Sequence, residues 1–346
     1  MWVPVLRHAR PTRARPSPNR RDHTRPPCPG GQCTRPLSRR WPRERRPPVL
    51  PRAPGCEAPA DTAPRAGPHG VHTLSLPVLP HDRFAQGDPD QWAFLCHGIL
   101  GSRRNWRSFA KKLSERRPEL GIITVDLRNH GDNPPRPGPH TLASCAHDLR
   151  LLGEHLDIQP SVLIGHSFGG KVVLQRAADL PPGLEQVWVL DSRPEAVPAA
   201  EVAASDVHRV IQALRSLPAS FSNRQDVVPM LTAQGFSRML ARWMTTNLRR
   251  TPAGSWAWRF QLEAVVEMIA DYYNADLRHV LITPVPDLSV HVVRAARSPR
   301  WPPAILDWFD ALPAGAPGRM HLLEDSDHWV HVDNPDGLLE IFDLEL

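Results

Sequence analysis

Residues 161–171 read Ser161-Val162-Leu163-Ile164-Gly165-His166-Ser167-Phe168-Gly169-Gly170-Lys171, and the fold is decided there. Val162–Ile164 is a short apolar run. It meets Gly165-His166-Ser167-Phe168-Gly169, a G-x-S-x-G pentapeptide, and an apolar, helix-compatible stretch follows from Lys171 to Ala178. Strand, tight turn and helix in that order predict a nucleophile elbow. A serine on so sharp a turn needs small residues two positions to either side so that the chain can pass. Its hydroxyl then stands at the top of a sheet beside a helix N-terminus, whose free N–H groups favour developing negative charge.

Outward from the elbow, the chain alternates. Trp92–Cys96 is an apolar run ending in His97-Gly98; Trp106–Leu113 is helix-compatible; Gly121–Asp126 is a strand; Leu142–Leu156 is a helix; Glu185–Asp191 is a strand after the elbow unit. Residues 72–78 alternate loosely and predict an edge strand. Strands alternating with helices at this spacing predict a mostly parallel sheet covered on both faces. From Pro194 to about Leu281 the alternation gives way to a helical block, with Asp206 as an N-cap and helices over 226–248 and 258–275. It then resumes: a strand at Val290–Val293, a helix at Ala304–Leu312, a strand at Met320–Leu323 and a helix at Pro335–Leu344. The organisation read from this is an α/β core over 71–193 and 282–346, interrupted by a helical cap over 194–281. Trp243, Trp256, Trp258 and Phe260 are candidates to line an apolar pocket beneath the cap.

Composition separates a tail from this body. The 346 residues carry a net charge of +6, but residues 1–52 alone hold 14 arginines, no lysine and two acids, a net +12 that leaves −6 on the remainder. Basicity therefore belongs to the N-terminal segment. Its prolines and lack of apolar periodicity predict disorder over residues 1–70. An Arg-rich, acid-poor segment fits an organelle transit peptide, for mitochondrion or plastid; a simple extension with a cytoplasmic body is the next reading, and a nucleic-acid-binding arm ranks behind both. The body gives no reason to expect a nucleic-acid partner. No secretory core and no apolar run of membrane-spanning length is present. The five cysteines (Cys28, Cys33, Cys56, Cys96, Cys145) form no disulfide framework, and no Cys/His spacing points to a metal.

Acyl transfer by a serine needs a base beside the hydroxyl, an acid to orient the base, and donors for the oxyanion. The base candidate is His328, just past the last strand, with His331 as its rival three residues on. The acid candidate is Asp191, which ends the strand after the elbow unit; Glu263 in the helical block is an alternative. The loop after the penultimate strand, Arg294–Trp301, contains no carboxylate. Oxyanion donors are expected from the backbone N–H groups of Phe168, directly after the serine, and Ile99, in the His97–Ser102 loop. His97 is expected to bond loop backbone.

With these residues in place, the body from about 73 to 346 resembles an α/β-hydrolase-fold serine esterase. More narrowly, it resembles the capped subfamily marked by H-G-x-x-G-S, D-x-R-N-H-G-x-S and G-H-S-x-G-G-K. Those motifs read here His97-Gly98-Ile99-Leu100-Gly101-Ser102, Asp126-Leu127-Arg128-Asn129-His130-Gly131-Asp132-Asn133 and Gly165–Lys171. The resemblance implies a hydrolase of small-molecule carboxylic esters or acyl thioesters, working through Ser167, His328 and Asp191 without a cofactor. It also implies that the Asp126–Asn133 loop shapes the site entrance. Departures from the pattern are Asn133 in place of serine, Asp327 beside the base, and Ser192-Arg193-Pro194 after the acid. Asp327 is placed to raise the pKa of His328 or to restrict its loop. Arg294 and Arg297 read as solvent-exposed charge, with recognition of an anionic acyl substrate as the second reading. A small-molecule binding protein that keeps the fold without catalysis is the alternative reading.

Overall fold

A computed structural model describes residues 77–346. The Arg/Pro-rich segment 1–70 and most of the edge strand expected at 72–78 lie outside the described residues. Along the chain the elements are β1 (His81–Phe84), β2 (Gln91–Cys96), α1 (Arg107–Arg116), β3 (Leu120–Val125), α2 (Leu142–Leu156), β4 (Val162–His166), α3 (Phe168–Ala178) and β5 (Gln186–Leu190). An insertion follows with α4 (Ala199–Ala204), α5 (Asp206–Ser216), β6 (Ser220–Phe221), α6 (Val227–Ala233), α7 (Arg238–Thr246), β7 (Leu248–Arg250), β8 (Trp256–Trp258), α8 (Leu262–Asn274) and α9 (Arg278–Ile282). The chain returns to the sheet with β9 (Ser289–Ala295), α10 (Pro303–Asp310), β10 (Gly318–Leu323), α11 (Val330–Asp333) and α12 (Pro335–Glu345).

Seven strands form one sheet in the order β1-β3-β2-β4-β5-β9-β10. Only β1 runs antiparallel, pairing with β3. Among the described residues the edge strand lies at 81–84, with residues 77–80 leading into it as irregular chain. Every residue of β3 and β4 is buried, as a parallel sheet covered on both faces requires. Two apolar clusters lie on either side of it. One packs Phe94, Ile123 and Leu163 with α2 and α3; the other packs Leu95, Ile122 and Ile164 with Trp106, Leu113 and Phe342.

The insertion departs from the helical reading. β6, β8 and β7 make a small antiparallel sheet. Its hairpin turns at Thr251–Ser255, where Gly254 takes φ +86°, a conformation that favours glycine. The helix expected over 226–248 is broken: Gly235 at φ +85° ends α6, and Ser237 caps α7 by accepting the Leu240 N–H at 3.2 Å. Ser205 caps α5, its Oγ accepting the His208 N–H at 3.2 Å, and Asp206 is the first helical residue. The two ends of the insertion meet, the Leu277 N–H donating to the Pro194 carbonyl at 2.8 Å and the Val197 N–H to the Tyr273 carbonyl at 2.7 Å.

Lys171 ties α3 to those ends. Its side chain is fully buried, and Nζ donates to the carbonyls of Glu195, Tyr272 and Ala275 at 2.7–2.8 Å. Burial pushes its pKa down to about 8.

Candidate active site

The strand ends decide where the chemistry-bearing side chains collect. β2, β4, β5, β9 and β10 are parallel, so His97, Ser167, Asp191 and the loops after Ala295 and Leu323 emerge at one edge of the sheet.

Ser167 sits at φ +52°, ψ −115° between β4 and α3, and its N–H donates to the Leu190 carbonyl of the next strand at 2.9 Å. Such a turn carries steric cost for a residue with a Cβ and is held by its surroundings. The flanking glycines allow it. A Cβ on Gly165 would lie 2.1 Å from the Gly169 carbonyl oxygen, and one on Gly169 would lie 2.6 Å from that of His97. Gly98 closes against the serine in the same way, since a Cβ there would meet His166 Nδ1 at 3.0 Å and Ser167 Cβ at 3.3 Å.

His328 Nε2 lies 3.1 Å from Ser167 Oγ, and His328 Nδ1 lies 2.7 Å from Asp191 Oδ2. An ionised carboxylate only accepts, so Nδ1 carries the proton and Nε2 is free to accept from the serine hydroxyl. Asp191 is 1% exposed and itself sits at φ +45°. It accepts from Trp301 Nε1–H at 2.7 Å, Ser298 Oγ–H at 2.7 Å and the Ala295 N–H at 3.1 Å. Burial pushes its carboxyl up, but the bonds from His328, Trp301 and Ser298 outweigh that and hold it below the usual carboxylate range. Burial lowers the pKa of His328, and the positive Arg300 lowers it further, against the opposing pull of Asp191. The imidazole is therefore neutral near pH 7.

Asp327 does not take part in this balance. Its side chain is largely exposed and turned to Arg297 at 4.0 Å, so the rise in the His328 pKa expected from it is corrected to a fall. Glu263 is exposed and paired with Arg215 at 2.8 Å on the outside of the insertion, not with His328. His331 stacks on Trp106 with centroids 3.9 Å apart, and burial drives its pKa to about 3. His328, not His331, bonds the serine.

The N–H groups of Phe168, at the first position of α3, and of Ile99 donate to no group among the described residues. The loop that carries Ile99 is braced by a reciprocal pair of imidazoles. His130 Nε2 accepts the Leu100 N–H at 3.2 Å, and His97 Nε2 accepts the Leu127 N–H at 3.0 Å. Their Nδ1–H groups donate to the Arg128 and Gly98 carbonyls at 2.9 and 2.7 Å. Burial holds both rings neutral, with pKa values of about 4 for His97 and about 3 for His130.

A cavity of about 540 Å³ opens over Ser167 and His328. Val207, Val210, Phe236, Leu240, Trp243 and Trp329 form much of its wall, and its size suits a small organic ligand. Of the four aromatic residues expected there, only Trp243 lines it. Trp258 stacks on Phe260 and meets Phe221 edge-on within the insertion, and Trp256 pairs in its small sheet. The Asp126–Asn133 loop does not line the cavity either. Asp126 is buried and binds Arg103, and Asn133 donates to the carbonyls of Asp126 and Leu127 at 2.9 and 3.1 Å, which makes this loop a brace. Arg294 belongs to β9, and Arg297 is exposed toward Asp325 and Asp327; neither reaches the cavity, whereas Arg300 does.

One group of three possible metal ligands occurs among the described residues, His291, His321 and Glu345, with their ligand atoms within 4.8 Å of one another. It is away from the cavity, and His291 Nδ1 and His321 Nε2 bond each other at 3.0 Å.

Residues 93–341 match the model of the alpha/beta hydrolase family. The chain belongs to that family. Among curated relatives, it is 33% identical over 216 residues to the zebrafish (Danio rerio) sn-1-specific diacylglycerol lipase ABHD11, covering 60% of this chain and 65% of that one. It is 30% identical to the mouse (Mus musculus) protein of the same name over 49% of this chain and 55% of that one. It is 28% identical to lipase LipV of Mycobacterium tuberculosis, over 58% of this chain and 72% of that one. The chain thus spans under two thirds of the length of the first two. In three dimensions it is similar to a marine microorganism esterase, with a TM-score of 0.69 at 20% identity over 79% of this chain and all of that one. That likeness shows the α/β-hydrolase fold, a mostly parallel sheet flanked by helices.

Proposed function

We propose that the protein is a serine hydrolase of small-molecule carboxylic esters or acyl thioesters, working through an acyl-enzyme. The observation that carries this reading is the hydrogen-bonded series Ser167–His328–Asp191 at the floor of a cavity, at 3.1 and 2.7 Å. Relatives named as lipases support the ester class. In the proposed reaction His328 Nε2 takes the Ser167 proton as Oγ bonds to the acyl carbon. The N–H groups of Ile99 and Phe168 hold the oxyanion, the imidazolium gives its proton to the departing alcohol or thiol, and that C–O or C–S bond breaks. Water, deprotonated by the same imidazole, then releases the acid. Asp191 fixes the tautomer and balances the charge on His328.

Residues 194–281 act in this reading as a cap over the core 71–193 and 282–346. The segment 1–70 is proposed to direct the chain to an organelle, mitochondrion or plastid, on its arginine-rich, acid-poor composition; a fluorescent protein fused behind it would stay diffuse if that is wrong. Among the described residues no helix is long and apolar enough to cross a membrane. The test of the hydrolase reading is turnover of an acyl-ester series of increasing chain length by the full chain, beside Ser167→Ala. Folded protein that turns over no ester or thioester and resists a fluorophosphonate would leave small-molecule binding without catalysis.

A further inference from the structure

The loop after β9 has two duties, and only one concerns Asp191. Ser298 and Trp301 both donate to the Asp191 carboxylate at 2.7 Å, which pins the chain on either side of Arg300. Between those anchors the Arg300 side chain lines the cavity that holds Ser167 and His328. It is partly buried, and among the described residues its guanidinium has no carboxylate within 4.0 Å and no hydrogen-bond partner. The other charged groups on the cavity wall are engaged. Arg209 meets Asp206 at 3.3 Å, Asp327 meets Arg297 at 4.0 Å, and Asp333 accepts the Asp327 N–H at 3.1 Å.

A guanidinium is charged at any physiological pH and presents a planar fork that matches carboxylate or phosphate oxygens. Beside an apolar wall its attraction for an anion is screened less than in water. The counter-charge that the protein does not supply at Arg300 is therefore free to come from a ligand.

We propose that Arg300 binds an anionic group of the substrate, a carboxylate or a phosphate, so that the site selects amphiphilic esters or thioesters with an apolar body and one negative end. This rests on the ester-hydrolase reading of the cavity. It moves anion recognition from Arg294 and Arg297 to the arginine of that loop that lines the cavity over Ser167. The positive charge of Arg300 already disfavours the protonated form of His328 and His166. An anion bound there offsets that field and makes His328 a stronger base in the complex than in the free protein.

The experiment compares kcat/KM for matched esters in the full chain. On the acyl side, the mono-4-nitrophenyl ester of glutaric acid is set against its methyl-capped, uncharged form. On the leaving-group side, butyryl-coenzyme A is set against butyryl-pantetheine, which lacks the phosphates. The charged-to-uncharged ratio should exceed one in at least one pair, and the pair that shows it identifies where the anion lies. In Arg300→Gln that ratio should fall about 10- to 100-fold, the worth of a hydrogen bond to a charged group, and Arg300→Lys should restore part of it. A ratio at or below one in both pairs, or a ratio that Arg300→Gln leaves alone, would overturn the proposal. Absence of turnover on all four substrates, charged and uncharged, would instead count against the hydrolase reading. In that case calorimetric binding of glutarate and coenzyme A, lost in Arg300→Gln if the site is real and indifferent to it if not, decides the Arg300 question by itself.

Discussion

His166 Nε2–H donates to the main-chain carbonyl of His328 at 2.7 Å, joining the residue before Ser167 to one 162 positions later. The two rings lie 4.7 Å apart, and His166 is 5% exposed. Burial drives the pKa of His166 well down, so the ring is neutral and its single N–H is committed to that carbonyl. The backbone of His328 is thus registered against the turn that carries Ser167, and the His328 side chain inherits that placement.

In the proposed reaction His166 is accordingly a positioning residue. His166→Phe, which keeps a ring and loses the donor, is expected to lower kcat by about 10- to 100-fold with little change in KM, as misplacement of a reacting group by a fraction of its bond distance would. His166→Gln, with an amide donor, should recover part of the loss. Equal falls in kcat and stability, with no recovery by glutamine, would make its role one of packing alone.

The pH profile follows from the neutral imidazole. Only the unprotonated His328 accepts the serine proton, and burial together with Arg300 places its pKa below the ordinary 6.5. Activity should therefore be flat through neutral pH and fall on the acid side with an apparent pKa under 6.5. Arg300→Gln removes a charge that opposes protonation, so its acid limb should move to higher pH. A wild-type limb above 6.5, or a shift in the other direction, would contradict this electrostatic assignment.

The imidazole brace between the two loops makes a separable prediction. In His130→Ala the Leu100 N–H loses its acceptor, and the loop that carries the Ile99 N–H is no longer held from below. A loss of about 1–3 kcal/mol of stability is expected from the unpaired donor. Reaction with a fluorophosphonate should slow as well, since the phosphonyl oxygen uses the same donors. Unchanged labelling kinetics would remove this brace from the account of the oxyanion site.

Lys171 offers a test of how the insertion is fastened. Lys171→Met keeps the stem and strands three buried carbonyls, so unfolding should become easier by roughly 3 kcal/mol. Its folded pKa of about 8 lies below the free value of 10.5, so between those values the unfolded chain holds a proton that the folded chain lacks. Wild-type stability therefore gains with rising pH in that window, and the methionine variant should lack the gain. Parallel pH curves for the two proteins would refute it.

Much of this was legible in the sequence because it is local. The elbow lies within five residues, the strand–helix alternation within tens, and Asp191 follows from the end of the next strand. What was not legible depends on distance. Asp191 receives its bonds from residues 104 to 137 positions away, and nothing near it says that Ser298 and Trp301 will cradle it. A signal did exist: the loop after β9 has no carboxylate but carries hydroxyl and indole donors suited to one on the neighbouring strand. The sequence does not single out Arg300 from Arg294 and Arg297, because only the two anchors around it fix which arginine lines the cavity. In the insertion the break at Gly235 is written in the chain, but helical periodicity on either side hides it.

In the proposed reaction Ser167, activated by His328, forms an acyl-enzyme. Mass spectrometry of the full chain mixed with a slowly released ester, beside Ser167→Ala, tests it most directly. The expected result is a mass increase of one acyl group on the peptide containing Ser167, and a turnover loss of at least ~10^4-fold in the alanine variant. Turnover that survives in Ser167→Ala, or an acyl group found on another residue, would contradict it.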